Sequence, residues 1–187
     1  VNNSIESNAS KTSASKSSRV TGVDSGLKYL VVVPTYNEKE NITLLIQTIF
    51  GQTYPLNSEL HILVVDDSSP DKTYEIVEQL AKTNPRLHLL LRKNKEGLGR
   101  AYVAGFQWGL ENQFDYIIEM DADFSHEPKI LIDFINHFQN NPSIDFLVGS
   151  RYVAGGGTRN WGLFRKIISK GGSIYSRLIL GYPLNDW

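Results

Sequence analysis

Asp121 and Asp123 stand two residues apart, directly after the run Tyr116-Ile117-Ile118-Glu119-Met120. On extended backbone the side chains of residues i and i+2 point the same way. The two carboxylates then share one side of a strand's end and repel each other unless a cation lies between them. Hard divalent ions take oxygen ligands, and Mg2+ is usually held by one or two carboxylates together with substrate phosphates. The plainer alternative is a helix cap, with Asp123 or Ser125 accepting from the first N–H groups of a helix that begins near Pro128. The place of the pair at a strand's carboxyl end, where open α/β sheets bind ligands, favours the cation.

Two further strands end in unusual polar sequence. Asp66 and Asp67 close the second of them, and one of the two acids can accept hydrogen bonds from a nucleobase or ribose. Ser69 or Asp71 can also start the helix near Lys72, and two adjacent acids exceed what one cap needs. Pro34-Thr35-Tyr36-Asn37-Glu38 leaves the first strand. Tyr36 is placed to pack on a base and Glu38 to bind its edge, while the alternative is a turn in which Asn37 caps the next helix. Glu96-Gly97-Leu98-Gly99 opens a helix, but lacks the third glycine of the dinucleotide fingerprint. Ser150-Arg151-Tyr152 leads into Gly155-Gly156-Gly157, then Arg159, Trp161, Arg165 and Lys166. That pattern reads either as a gating loop with an anion site or as a solvated basic loop.

The elements that must carry these residues alternate. Apolar runs at Tyr29–Val33, Leu60–Val65, Leu87–Leu91, Tyr116–Met120 and Phe146–Val148 interleave with helical segments at Asn41–Phe50, Lys72–Lys82, Leu98–Leu110 and Pro128–Gln139. Unbroken apolar strands such as Leu30-Val31-Val32-Val33 suit a sheet covered on both faces. The alternation predicts a mostly parallel α/β sheet. A last helix from Leu163 to about Leu180 sets Phe164, Ile167, Ile168, Tyr175, Leu178 and Ile179 on one face, with Lys166, Lys170 and Arg177 opposite. It suits packing on a core better than lying on an anionic membrane surface, the other use of such a face.

Composition sets the outer limits. The chain has 187 residues, which fits one core. Its 19 Lys and Arg nearly cancel 20 Asp and Glu, so no global field draws nucleic acid and any anion site is local. With no cysteine, disulfides, zinc thiolates and a thiol nucleophile are excluded. No run approaches the ~18 apolar residues of a membrane span. Residues 1–26 are rich in Ser, Asn, Thr and Lys and are expected to be a disordered tail. The domain is expected over 27–187, with both chain ends incomplete.

Taken together, Val33-Pro34-Thr35-Tyr36-Asn37-Glu38, Val65 to Thr73, Met120 to His126, Gly149-Ser150-Arg151-Tyr152 and Trp161 to Ser169 resemble family 2 glycosyltransferases of the GT-A fold. The likeness is greatest to the dolichol-phosphate and polyprenol-phosphate mannose synthases, over about Leu30 to Trp187. It implies a Rossmann-like, three-layer α/β/α architecture. It also implies that Pro34, Tyr36, Glu38, Val64 and Asp66 hold the guanosine of GDP-mannose. Asp121 and Asp123 would bind Mg2+ or Mn2+ on the diphosphate, with Met120 and Ala122 lining the site. Arg151 and Arg165, helped by Ser169, would bind the acceptor phosphate, Arg151 also touching the donor. Some relatives carry a Gln metal ligand where this chain has the shorter Ser125. The family pattern continues past Trp187 into further basic residues and, in some members, membrane helices. The implied setting is the cytoplasmic face of a membrane, peripheral or tethered through a region outside this chain.

The implied reaction is inverting transfer of mannose to the phosphate of a polyprenol. That phosphate's second pKa is ~6, so it is largely ionised near neutrality and needs no strong base. A polyprenyl-phosphate glucosyltransferase, or another family 2 enzyme using a UDP-sugar, keeps the same fold. An inactive sugar-nucleotide-binding domain is the alternative of another class. A nicotinamide dehydrogenase has the right layers without the glycine fingerprint.

Overall fold

The structure, a computed structural model, describes residues 26–149. The tail expected over 1–26, apart from Gly26, lies outside them. So do Arg151, the glycine loop, Arg165, Ser169 and the helix expected from Leu163. Eight elements alternate in the described region: β1 (Leu27–Thr35), α1 (Ile42–Phe50), β2 (Ser58–Asp66), α2 (Thr73–Ala81), β3 (Leu87–Leu91), α3 (Leu98–Glu111), β4 (Tyr116–Glu119) and α4 (Ile130–Asn140). The four strands form one sheet in the order β3-β2-β1-β4, and every pairing is parallel.

Side-chain parity divides the sheet into two faces. Tyr29, Val31 and Val33 of β1, with Leu60, Ile62 and Val64 of β2, join one buried cluster with α1, α2 and α4. Leu30 and Val32, with Leu63 and Val65, face α3 instead. The result is three layers, helix on sheet on helix, and it explains why β1 and β2 carry no polar alternation. The helices follow their own period. Ile42, Leu45, Ile46 and Ile49 of α1 lie at the spacing of a single helical stripe and are all buried. Each such side chain taken out of water contributes about 1.5–3 kcal/mol.

α3 reaches the sheet differently, by burying small residues: Ala101, Gly105 and Gly109, one turn apart. A methyl added at Gly105 would run into Cγ1 of Val32, and one at Gly109 would sit 2.7 Å from Cδ1 of Ile117. Val32 is fully buried and stiff at χ1, so it has little room to yield. Gly105→Ala should therefore destabilise the domain by about 1–3 kcal/mol through overpacking, exceeding the gain of up to about 1 kcal/mol in helix propensity. A lowered urea midpoint with unchanged slope is the expected result, and an unchanged or raised midpoint would refute the close approach.

Three expectations are corrected. Phe146–Val148 is not a strand, and Phe146 and Val148 are 59% and 44% exposed. A three-residue run gains too little burial to hold itself in a ladder. Asn37 does not cap α1; it takes a left-handed φ of 63°, and Asn41 occupies the cap position. Neither Asp123 nor Ser125 caps α4, whose N-cap is Lys129.

Candidate active site

Strand order makes a crevice here. From β1 the chain steps outward to β2 and β3 on one side, then α3 carries it back across to β4 on the other. Such a switch point leaves a gap beyond the carboxyl ends of β1 and β4, where open α/β sheets take their ligands. A cleft of about 280 Å3 lies there, lined by the end of β1, by residues following all four strands and by the start of α3. That is near the lower end for small-molecule sites.

The loops after β1 and β2 are zipped together. The Asp66 carboxylate is fully buried and accepts from Thr35 Oγ1 at 2.7 Å, Ser69 N at 2.8 Å and Ser69 Oγ at 2.7 Å. Asn37 N donates to Ser69 Oγ at 3.0 Å, Glu38 N to Thr73 Oγ1 at 3.0 Å, and Lys39 N to Asp71 Oδ2 at 3.0 Å. Burial acts to raise the Asp71 carboxyl, but bonds from Thr73 and Lys39 hold it below its ordinary value. These contacts fix where Tyr36 and Glu38 stand. Tyr36 turns its ring to the cleft, with Lys95 Nζ 3.6 Å from the ring centroid.

Asp67, one residue on, points to the other face of the sheet. Its side chain is 6% exposed and its Oδ1 lies 3.2 Å from Nη1 of Arg92. The pair attracts as charges, yet neither atom has a hydrogen-bond partner among the described residues. Arg92 also holds Glu96 Oε2 at 2.8 Å, and Glu96 N approaches Asp67 Oδ2 at 3.4 Å. Asp67 thus lines the cleft as a nearly buried carboxylate backed by a guanidinium.

Opposite stand Asp121 and Asp123. β4 ends at Glu119 and residues 122–126 form turns and bends, so strand alternation is not what brings the two acids together. Both acids nonetheless line the cleft, and the chain turns on past them through Phe124 at φ 59°. Asp123 Oδ1 accepts from Ser125 N at 2.9 Å, and bonding to Ser125 holds its carboxyl below the ordinary range. Asp121 Oδ1 accepts from the hydroxyl of Tyr102 at 2.9 Å, while Oδ2 lies 3.9 Å from His126 Nδ1. Burial, and next the charge of Asp121, push the Tyr102 phenol strongly upward, so it stays a donor.

This donor set suits a hard divalent ion shared with a ligand. Among the described residues no group of three or more His, Asp or Glu could enclose a metal. Two carboxylates completed by phosphate oxygens is the usual arrangement for Mg2+. Among the described residues the cleft lining carries Glu38, Asp67, Asp121 and Asp123 against Lys95 alone, so these residues repel a diphosphate unless a cation accompanies it.

Of the residues singled out from sequence, Pro34, Tyr36, Glu38, Asp121, Ala122 and Asp123 meet in this cleft. Val64, Asp66 and Met120 do not reach it. Val64 and Met120 belong to the buried cluster under α1, α2 and α4, and Asp66 follows the same parity. In place of Asp66, Asp67 is the acid of its pair that faces the cleft. Arg151, Arg165 and Ser169 lie outside the described residues. Lys95 and Tyr102 belong to no motif in the sequence, whereas Gly97 and Leu98 of the helix-opening segment do line the cleft. The carboxyl end of β3 signals Lys95, since the segment from Arg92 to Gly97 follows a strand of the same parallel sheet, while nothing in the local sequence signals Tyr102.

The model of glycosyl transferase family 2 matches residues 30–184. The polyprenol monophosphomannose synthase of Mycolicibacterium smegmatis is 44% identical over 158 residues, which cover 84% of this chain and 57% of that protein. The undecaprenyl-phosphate mannosyltransferase of Micrococcus luteus is 42% identical over 160 residues, covering 86% of this chain and 63% of that protein. The chain thus spans less than two thirds of the length of either relative. Among solved structures, S. aureus TarS 1-349 in complex with UDP superposes with a TM-score of 0.52 at 26% identity, covering 62% of this chain and 33% of that one.

Proposed function

The chain belongs to glycosyl transferase family 2, and we propose that it transfers mannose from GDP-mannose to the phosphate of a polyprenol, with inversion. The reading is carried by one cleft in which the Asp121 and Asp123 carboxylates stand opposite Asp67, at the switch point of the sheet. The names of its relatives supply the sugar and the lipid: both printed activities join mannose to a polyprenyl phosphate.

Each side chain then has a task. Tyr36 offers a ring face to the base, and the Asp67 carboxylate, which lines the same cleft, accepts one of its N–H groups. Asp121 and Asp123 are the residues that would hold Mg2+ or Mn2+, which when bound stabilises negative charge on the leaving diphosphate. Lys95 leaves the Tyr36 ring for the diphosphate at little cost, because an exposed cation–π contact is worth only about 0.5–1 kcal/mol. Arg151, Arg165 and Ser169 are assigned to the acceptor phosphate, where arginines offset repulsion between two anionic substrates. An acceptor phosphate oxygen bonds to the anomeric carbon as the bond to the diphosphate oxygen breaks. GDP departs with that electron pair, and a single displacement inverts the centre.

The acceptor places the reaction at a membrane surface, and we assign it to the cytoplasmic face. Among the described residues, no helix is long and apolar enough to cross a membrane.

A second reading, a UDP-sugar donor, draws on the fold match to a UDP complex. Calorimetric titration of GDP and UDP in the presence of Mn2+ separates the two. Binding of GDP at least about tenfold tighter, worth 1.4 kcal/mol, is expected. Preference for UDP would remove the mannose assignment.

A further inference from the structure

The wall of the cleft formed by α3 holds a side chain that no motif singled out. Tyr102 stands one turn before Gly105, the point where α3 is pressed onto Val32. Its ring is half-buried against the cluster of Leu30, Val32, Leu63 and Val65, and beside Phe106. Only its hydroxyl reaches the cleft edge, where it donates to Asp121 Oδ1 at 2.9 Å. A helix locked by glycine contacts thus carries a rigid donor to one oxygen of a carboxylate that is itself 38% exposed. Among the described residues Asp121 has no comparable restraint on Oδ2, which lies 3.9 Å from His126 Nδ1, beyond hydrogen-bonding distance.

We propose that Tyr102 is a positioning residue for the cation site: its hydroxyl occupies Asp121 Oδ1 and so presents Oδ2 toward a divalent ion shared with Asp123. This rests on reading the cleft as a metal-assisted sugar-nucleotide site. The physical need is plain. A half-exposed carboxylate without a partner rotates among several orientations and also swings toward His126. Ordering it in advance removes that entropy cost from metal binding. A donor is also the right partner, since it shares the carboxylate's charge without cancelling it as a lysine would. The same bond ties the acid pair to the helix whose first turn lines the other wall through Gly97 and Leu98.

The test uses Tyr102→Phe and Tyr102→Leu in the intact protein, with near-UV circular dichroism to verify the fold. Mn2+ binding is read by electron paramagnetic resonance with GDP present, alongside the Mn2+ concentration giving half-maximal transfer. Loss of an outer partner to a metal ligand typically weakens metal affinity 10–100-fold. Tyr102→Phe should therefore raise both Mn2+ constants by about tenfold or more, while turnover at saturating Mn2+ stays within about threefold of the parent. In an Asp121→Asn background the same substitution should add no further weakening, because the hydroxyl acts through Asp121. Equal Mn2+ affinity for Tyr102→Phe and the parent overturns the role of Tyr102 alone. A parent protein that binds no Mn2+ overturns the metal reading and this inference with it.

Discussion

Asp121→Asn and Asp123→Asn should each lower the proposed mannosyl transfer by about 100- to 1,000-fold while leaving the fold intact. The size is that of losing one preorganised contact to charge that develops during reaction. Asn matches Asp in shape and removes only the charge. At Asp121 its amide oxygen still accepts from Tyr102, so the local structure keeps its hydrogen bond. Both positions are solvated enough that stability should move by no more than about 0.5 kcal/mol. Separating the two acids' mutual repulsion from their joint hold on a cation requires metal in the assay. With Mn2+ raised tenfold, Asp121→Asn should recover part of its loss. EDTA should silence the parent protein, and added Mn2+ should restore it. Transfer is followed with labelled GDP-mannose and a short-chain polyprenyl phosphate. Variants that keep transfer within threefold, with melting temperature unchanged, would sink the assignment of these acids. Absence of transfer in the parent itself would leave a sugar-nucleotide-binding domain as the better account.

Arg92→Ala should destabilise the domain by about 3–5 kcal/mol, the cost of leaving a buried carboxylate without its counter-charge. The Arg92 and Asp67 side chains are 13% and 6% exposed, so water reaches neither well enough to replace the other. Arg92→Lys should rescue little, because one ammonium cannot span Asp67 and Glu96 as the guanidinium fork does. The double variant Arg92→Leu with Asp67→Asn should regain most of the stability, since it removes both charges. It should not regain nucleotide affinity, because the charged acceptor facing the cleft is gone. Urea unfolding with and without GDP reads both effects. A stability loss under 1 kcal/mol for Arg92→Ala would mean that water, and not Arg92, satisfies Asp67.

Much of this arrangement is legible in the residues. Unbroken apolar runs at β1 and β2 announce a sheet covered on both faces, and the polar sequences that follow them mark the rim where a ligand binds. The acid pair and the Pro34 to Glu38 loop are found by that rule alone. Less legible is which of two neighbours turns inward. Asp66 and Asp67 are equivalent as a pattern, and the choice between them depends on which sheet face α3 covers. The same parity withdraws Val64 and Met120 from the cleft. Asp121 and Asp123 both line the cleft although the strand ends before either of them, which the alternation rule does not foresee.

By itself the sequence determined the class of fold, the family and the chemical types gathered at the rim, since each depends on spacing along a few neighbouring residues. Only the tertiary structure decided that Asp67 is the acid facing the cleft, that Arg92 stands behind it, and that Tyr102 grips Asp121. Those partners are 25 and 19 residues apart in the chain. Asp67 and Arg92 meet because α2 returns the chain to lay β3 beside β2, and Tyr102 reaches Asp121 because α3 crosses back over the sheet before β4; no local period encodes either encounter.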